Sequence, residues 1–294
     1  MKITLIVNPR SGKRKAESIE VHAHELAKKL GHTVEVSIIA KAGDGSAFAK
    51  KAIAGGFDRV ISAGGDGTLN AIACGLTGSD VPLGIVPMGS GNGYARSLAI
   101  PLDPLKALDL AFTGAARKMD VCYLNDLLFL GTAGIGFDAR VAHKFDRSKK
   151  RGMWGYAKII LQDILSTKPM RVKIQVNGQV IEDELLMLVF CNTREFGNGA
   201  DISPGSLPDD GIGELRLVRK PAFLPLIKAF IDIYTHRADR SPYITNIPAT
   251  EAWIHQTDTV AHLDGEPVHL GNDLHFRLRQ GGLLVVAEAA TKSG

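Results

Sequence analysis

Cysteine is scarce in this chain: Cys74, Cys122 and Cys191 are the only three in 294 residues, isolated and in apolar surroundings. An odd, scattered set argues against a disulfide framework and against a cysteine metal site; reduced core residues of a cytosolic protein are expected. Long hydrophobic runs are also missing. No apolar stretch approaches the ~20 residues of a membrane span, and residues 3–7 make a strand-like run without signal-peptide architecture. A cytoplasmic protein is expected, at most peripheral on a membrane. There is no zinc-finger spacing and no basic helix of the DNA-reading kind, so nucleic acid is not an expected partner. Internal repeats and low-complexity linkers are absent. Gly12-Lys13 lacks the spacing and the following Ser or Thr of a Walker A loop, which argues against a P-loop NTPase.

What the chain does have is material for two domains, since 294 residues exceed the common domain size. A hydrophobic content of 45% against 22% charged residues supplies an ordinary globular core. The net charge of +4 is mildly basic, with clusters at residues 10–15 and 147–151. Each cluster reads first as solvated surface, and otherwise as attraction for nucleotide phosphates or anionic headgroups.

Residues 1 to about 120 alternate strand and helix patterns. Residues 3–7 read as a strand, followed by Asn8-Pro9-Arg10-Ser11-Gly12-Lys13 and a helix ending at Leu30, with Gly31 as its stop. A second strand is expected at 34–39 and a second helix at 47–54. The apolar run 59–63 leads into Gly64-Gly65-Asp66-Gly67-Thr68-Leu69-Asn70, where Leu69, Ile72, Ala73 and Leu76 mark a helix face. Residues 83–86 form a fourth strand ending in Pro87-Met88-Gly89-Ser90-Gly91-Asn92, before a short helix and another at 104–112. This alternation implies a parallel sheet with helices on both faces and ligands at the carboxyl ends of its strands. The loops after the first, third and fourth strands would then open on one edge.

Beyond about residue 121 the texture changes. Short strand-like runs occupy 171–176, 185–191, 215–218, 252–255, 260–263 and 283–286, with turn signals at Asn177-Gly178 and Asp264-Gly265. Two helices are expected, around 156–165 and 223–234. The second half reads as mainly antiparallel β.

Glycines between strand and helix let the backbone turn tightly and approach a ligand, and the helix N-terminus that follows suits phosphate. Asp66 is out of place there, because a carboxylate repels phosphate; a divalent cation between them removes the conflict. Arg10 has a better claim on a nucleotide than Lys13, which reads as a solvated loop residue. Nine histidines are scattered without a metal or triad context, so satisfied surface positions are expected.

The motifs at residues 8–13, 64–70 and 87–92 resemble the nucleotide-binding motifs of the diacylglycerol kinase catalytic-domain family, which includes bacterial soluble lipid kinases and the sphingosine and ceramide kinases. The likeness continues through Gly131-Thr132-Ala133-Gly134-Ile135-Gly136-Phe137-Asp138, Pro208-Asp209-Asp210-Gly211 and Asp264-Gly265-Glu266, in the same order. The resemblance implies an α/β nucleotide-binding domain over 1–121 and a β-rich lipid-substrate domain over 122–294, with the last residues free to pack back on the first. It places the active site in the cleft between them and implies ATP-dependent phosphoryl transfer to a lipid hydroxyl, diacylglycerol-like or sphingoid-like.

Several roles follow from the resemblance. Asn8, Arg10 and Asn92 contact nucleotide or fix the loops, the backbone of Gly64, Gly65, Asp66, Gly67, Thr68, Gly89 and Ser90 cradles phosphates, and Asn70 counts among the nucleotide-binding residues. Asp66 holds the catalytic Mg²⁺. Asp264 matches the general base, with Glu266 beside it to help with metal or orientation; by local sequence alone Asp264-Gly265 is an ordinary hairpin turn between 260–263 and 268–270. Asp210, with the carbonyls of Leu207 and Ile212, resembles a structural Mg²⁺ site, although Gly205 and Leu207 stand where some relatives have carboxylates. Many relatives carry a Thr near Ala40 that touches the nucleotide, and Ala40-Lys41 lacks that hydroxyl. The expected partner is a lipid at a membrane surface, and a homodimer is an assembly the resemblance allows. Two other readings stand beside this one: a kinase of a soluble acceptor such as NAD, since Gly-Gly-Asp-Gly loops also occur in NAD kinases and phosphofructokinases, and a non-catalytic nucleotide- or lipid-binding regulator.

Overall fold

Contiguous apolar runs set the first half of the fold. In the computed structural model, which describes residues 1–11, 13–147, 167–196, 200–220 and 237–288 together with 164, 222, 225, 232 and 235, these runs become the strands of a parallel sheet. The order along the chain is β1 (Lys2–Val7), α1 (Lys13–Leu30), β2 (Thr33–Ile38), α2 (Asp44–Ala54), β3 (Arg59–Gly64), α3 (Asp66–Leu76), β4 (Leu83–Pro87), α4 (Gly93–Ser97) and α5 (Pro104–Thr113). Strands β3 and β4 are buried at every position, as central parallel strands covered on both faces must be. The sheet runs β2-β1-β3-β4, all parallel, with Val285 of the last strand beside Leu83 of β4. Its order reverses between β1 and β3, the switch point at which the carboxyl ends of such sheets open a crevice.

One core cluster joins Ile3, Leu5 and Val7 of β1 to Ile61, Ala63 and Val86, and to Ala16, Ile19, Ala23 and Ala27 along one stripe of α1. Leu108, Ala111 and Phe112 of α5 belong to the same cluster. The start of α5 is capped by Asp103, whose side chain accepts the N–H groups of Leu105 and Lys106, with Pro104 in the first turn. Its far end is held by Arg59, which donates from Nη1 to the carbonyls of Ala111 and Phe112 and from Nη2 to that of Gly114. Helix α2 starts three residues before the expected 47, because Asp44 collects the N–H groups of Ala40 and Lys41, each at 3.0 Å, and closes the loop after β2. Those bonds, that of Lys41 foremost, hold the Asp44 carboxyl below its ordinary range.

The chain continues through β5 (Ala116–Leu124), β6 (Leu127–Phe129), β7 (Thr132–Gly136) and α6 (Phe137–Arg147), then β8 (Met170–Val176), β9 (Gln179–Leu185), β10 (Met187–Cys191), β11 (Gly213–Val218), β12 (Ile244–Ala249), β13 (Glu251–Gln256), β14 (Val260–Leu263), β15 (Glu266–His269) and β16 (Asp273–Val286). Two compact units result: Met1–Met119 with Gly281–Gly294, and Asp120–Gln280. The second unit is an antiparallel sandwich. One sheet runs β12-β11-β10-β7-β14-β15, and β13 pairs with β8 and with the first part of β16, β8 in turn with β9. Strand β8 alternates fully, with Met170, Val172, Ile174 and Val176 inward. Between the sheets Phe190 stacks on Phe276 at 5.4 Å. The other face of the six-stranded sheet carries Val189, Cys191 and Val218 against Phe137 and Val141 of α6.

Several expected elements shift. The run 185–191 is not one strand: Leu185 ends β9, whose core is the inter-sheet one, while Leu186 joins the α6 side and β10 follows. Residues 283–286 are only the end of the 14-residue β16, whose first part is polar on its outer face. Lys13 opens α1 instead of lying in a loop. Cys122 and Cys191 are buried as expected and burial pushes both thiols up, but Cys74 is exposed. The helices expected at 156–165 and 223–234 lie outside the described residues, except for single positions.

Candidate active site

Three loops leave the carboxyl ends of β1, β3 and β4, and in the first unit they are tied to one another. Asn8 donates its own N–H to Ala63 O of β3 at 2.9 Å, and its Nδ2 to Thr68 Oγ1 at 2.8 Å. Its Oδ1 accepts the N–H of Arg10 at 3.1 Å, folding Pro9–Ser11 into a single 3-10 turn with the Arg10 side chain exposed. Asn8 therefore joins the first loop to the first turn of α3, across the switch point.

The second tie runs between the third and fourth strands. Met88 N–H bonds Gly64 O at 2.8 Å, and Asp66 Oδ2 accepts the N–H of Asn92 at 2.8 Å. Asn92 is in the left-handed region at φ 52°, which Asn tolerates better than most side chains. Its amide closes the loop on itself: Oδ1 takes the Gly89 N–H and Nδ2 donates to Gly89 O. The Gly89 N–H is thus used within the loop. What Gly89 offers instead is proximity, because a Cβ there would stand 2.8 Å from the Cα of Gly65. Thr68 and Asn92 are almost fully buried, whereas Ser90 is exposed. Asp66 opens α3 behind Gly65, where the helix presents first-turn N–H groups and the positive end of its dipole. Asn70 lies one turn further on and is half-buried.

In the second unit Asp264 and Gly265 form the two-residue turn between β14 and β15, both with positive φ, 49° and 84°. This is the backbone of a type I′ turn, so the hairpin pairs 260–263 with Glu266–His269. Asp264 does more than turn the chain. Oδ1 accepts the N–H groups of Gly131 and Thr132 at 2.7 and 3.1 Å, and Oδ2 that of Leu130 at 2.9 Å. Glu266 follows at the first position of β15, exposed.

A third group is the turn before β11. Asp210 Oδ1 accepts the N–H of Ile212 at 2.9 Å, and Gly211 donates to the carboxylate of fully buried Asp120 at 2.7 Å. Partial burial pushes the Asp210 carboxyl up, with Asp120 and Asp209 adding to the rise and the Ile212 N–H opposing it. Leu207 and Ile212 are exposed in the same turn. Among the described residues no three acidic, histidine or cysteine side chains converge as a metal cage. The turn nonetheless fits Mg²⁺, which takes one or two carboxylates with carbonyl and water oxygens: the repulsion that Asp120 and Asp209 exert on Asp210 is what a cation would relieve. Asp66, a carboxylate at the start of α3 where first-turn N–H groups suit an anion, would fit a metal lying between itself and that anion.

Comparison with known proteins covers most of the chain. The profile of the diacylglycerol kinase catalytic domain matches residues 2–124, and that of the YegS C-terminal NAD kinase beta sandwich-like domain matches 131–275. A probable lipid kinase YegS-like protein of Pseudomonas fluorescens is 32% identical over 90% of this chain and 88% of its own. The diacylglycerol kinase of Bacillus subtilis is 31% identical over 76% of each. The crystal structure of a diacylglycerol kinase from Bacillus anthracis superposes with a TM-score of 0.80 at 26% identity, covering 98% of both chains. The chain belongs to the diacylglycerol kinase catalytic-domain family.

Within this lipid kinase family frame, three residues that local sequence did not single out acquire a place. Arg96 of α4 folds back to donate from Nε to Gly91 O at 3.1 Å, bracing the fourth-strand loop. Asp120 anchors the 208–213 turn from the middle of β5, its own N–H going to Pro208 O. His262 is buried and bonded to Asp138, which corrects the expectation of surface histidines. None carries a local signal, since each partner lies in another element or loop.

Proposed function

We propose that this chain is an ATP-dependent lipid kinase, transferring the γ-phosphoryl of Mg-ATP to the hydroxyl of a diacylglycerol-like or sphingoid-like lipid at a membrane surface. The observation that carries the reading is the interlock of three loops at one sheet edge, through Asn8 with Thr68 and Asp66 with Asn92. Phosphoryl transfer asks a protein mainly for positioning and charge neutralisation, and interlocked loops supply positioning. Backbone groups of residues 64–68 and Ser90 cradle the phosphates; Asn8, Arg10, Asn70 and Asn92 contact the nucleotide or hold the loops. Asp66 would hold Mg²⁺, which when bound neutralises phosphate charge. Asp210, with the carbonyls of Leu207 and Ile212, would hold a structural ion. The acceptor oxygen bonds to the γ-phosphorus as the bond to the β,γ-bridging oxygen breaks; Asp264 takes the hydroxyl proton and Glu266 helps orient the hydroxyl. ADP and the phosphorylated lipid leave.

A soluble acceptor is the competing reading, favoured by the likeness of the second unit to a sandwich described for NAD kinases. Labelled γ-phosphoryl transfer to vesicles of diacylglycerol or sphingosine in phosphatidylglycerol, run beside NAD, separates the two. Transfer to lipid alone is expected; transfer to NAD alone refutes the lipid reading, and none to any acceptor favours a non-catalytic regulator. Asp264→Asn should lower kcat by about 10²–10⁴-fold, the range of a lost general base, while ATP binding by calorimetry persists.

A further inference from the structure

Asp138 and His262 form a buried ionisable pair that phosphoryl transfer, as proposed, leaves unused. Their side chains are only 9% and 4% exposed, with His262 Nε2 3.1 Å from Asp138 Oδ2. Register explains how they meet. His262 of β14 lies opposite Gly134 of β7, and Asp138 stands in the first turn of α6. A Cβ on Gly134 would sit 1.8 Å from Asp138 Oδ2 and 2.6 Å from His262 Nε2. The bond crosses the space a side chain would fill, so the glycine is a condition of the pair.

The other ring nitrogen turns toward Asp264. Gly265 N–H donates to His262 Nδ1 at 3.3 Å. A backbone N–H can only donate, so Nδ1 must offer its lone pair, and Nε2 carries the proton that points at Asp138. Asp138 is itself fixed, its Oδ1 accepting the Ala139 N–H at 2.8 Å. Phe196 packs edge-on to the imidazole at 6.0 Å. The chain Asp138–His262–Gly265 therefore ends on the peptide that follows Asp264, while Leu130, Gly131 and Thr132 hold the Asp264 carboxylate from the other side. A type I′ Asp-Gly turn needs no such help to form, and a buried carboxylate–imidazole hydrogen bond must first offset the cost of desolvating both groups. What the pair adds is a fixed angle.

We infer that His262, oriented by Asp138, is a positioning residue that sets the Asp264 carboxylate for proton acceptance; this rests on the reading of Asp264 as the base. Two amide replacements separate the halves of the ring. His262→Asn keeps a polar atom near Nδ1 and loses the reach to Asp138; His262→Gln keeps that reach and loses the acceptor for Gly265. With labelled Mg-ATP and phosphatidylglycerol vesicles containing diacylglycerol and sphingosine, His262→Gln should lose about 10–100-fold in kcat, as small misplacements do, at unchanged KM for ATP. His262→Asn should stay within about threefold, since the Gly265 bond is the half that matters. If both variants match wild type, or both fall alike with unchanged Tm, while Asp264→Asn is dead, the inference fails and the base survives. If Asp264→Asn keeps its turnover, or the wild type transfers nothing to these vesicles, both fail. Should His262→Gln not fold, Asp138→Asn decides: a loss of kcat on wild-type His262 that vanishes on the His262→Asn background supports the relay, and equal losses on both backgrounds, or none, overturn it.

Discussion

Gly64 has no room for another atom. A Cβ there would stand 2.6 Å from Cβ and Cγ2 of Thr68, the residue that receives Asn8. Gly64→Ala should therefore cost about 1–3 kcal/mol by overpacking, read as a lowered Tm, and should weaken ATP binding by pushing Thr68 off Asn8. Thr68→Ala removes the Asn8 bond without inserting an atom and should cost less stability, about 0.5–1.5 kcal/mol; equal Tm losses for the two would refute the packing argument. Asp210 gives a prediction of the opposite kind. Its carboxyl is raised in the fold, so any stability it contributes is present below its unfolded value and lost as pH climbs through its folded one. Without metal, Asp210→Asn should melt above wild type at neutral pH, the gain shrinking under acid. Mg²⁺ should raise the wild-type Tm and leave that of Asp210→Asn unmoved at this turn. A wild-type Tm indifferent to Mg²⁺ would remove the structural ion from the proposal. At this scale the sequence singled out candidate residues but not their partners. Asp66 stood out as a misplaced carboxylate, yet Asn92, its donor, is 26 positions away, and no local rule pairs them.

Elements were legible where burial is continuous. Strands β1, β3 and β4 are nearly or wholly buried, so each wrote itself as an apolar run. Strand β7, Thr-Ala-Gly-Ile-Gly, did not, because Gly134, which admits Asp138 and His262, and Gly136 together erase its β signature. Strand β12 contains Pro248, and β5 opens on exposed and half-buried residues, so neither resembles a buried strand. Arg59 is the least legible of all: a buried arginine at the start of β3 that ends a helix some fifty residues away. Burial pulls its guanidinium down from the ordinary arginine value, so its three carbonyl partners are needed. Arg59→Met keeps the stem and strands those carbonyls, and should cost about 2–5 kcal/mol. For a chain of this size that is a Tm loss of about 5–15 °C, measurable by calorimetry; a loss under a degree would show that water replaces the arginine freely.

At the scale of the molecule, the first unit is built from two stretches of chain that the second, a continuous segment, separates. The first unit takes Met1–Met119 and then Gly281–Gly294, in which Leu283, Val285 and Val286 are buried and Val285 pairs with β4. A fragment of residues 1–124, although it contains every loop assigned to ATP, should show no cooperative melt and no nucleotide binding, because β4 would be left an open edge. A folded, ATP-binding fragment would overturn this. No described helix is long and apolar enough to cross a membrane. With the chain's net charge of +4, the proposed contact with phosphatidylglycerol vesicles should be lost on raising the salt, as sedimentation would show.

The place of β16 also has a consequence in time. On the ribosome, residues 281–286 emerge about 160 residues after Met119, which at 5–20 residues per second is a delay of roughly ten to thirty seconds. Throughout it the parallel sheet lacks its fifth strand, and the contacts it awaits are the longest-range in the unit. A nascent chain should therefore remain unable to hold ATP until its last strand arrives, and β4 is the edge most exposed to mispairing or to a chaperone in the meantime.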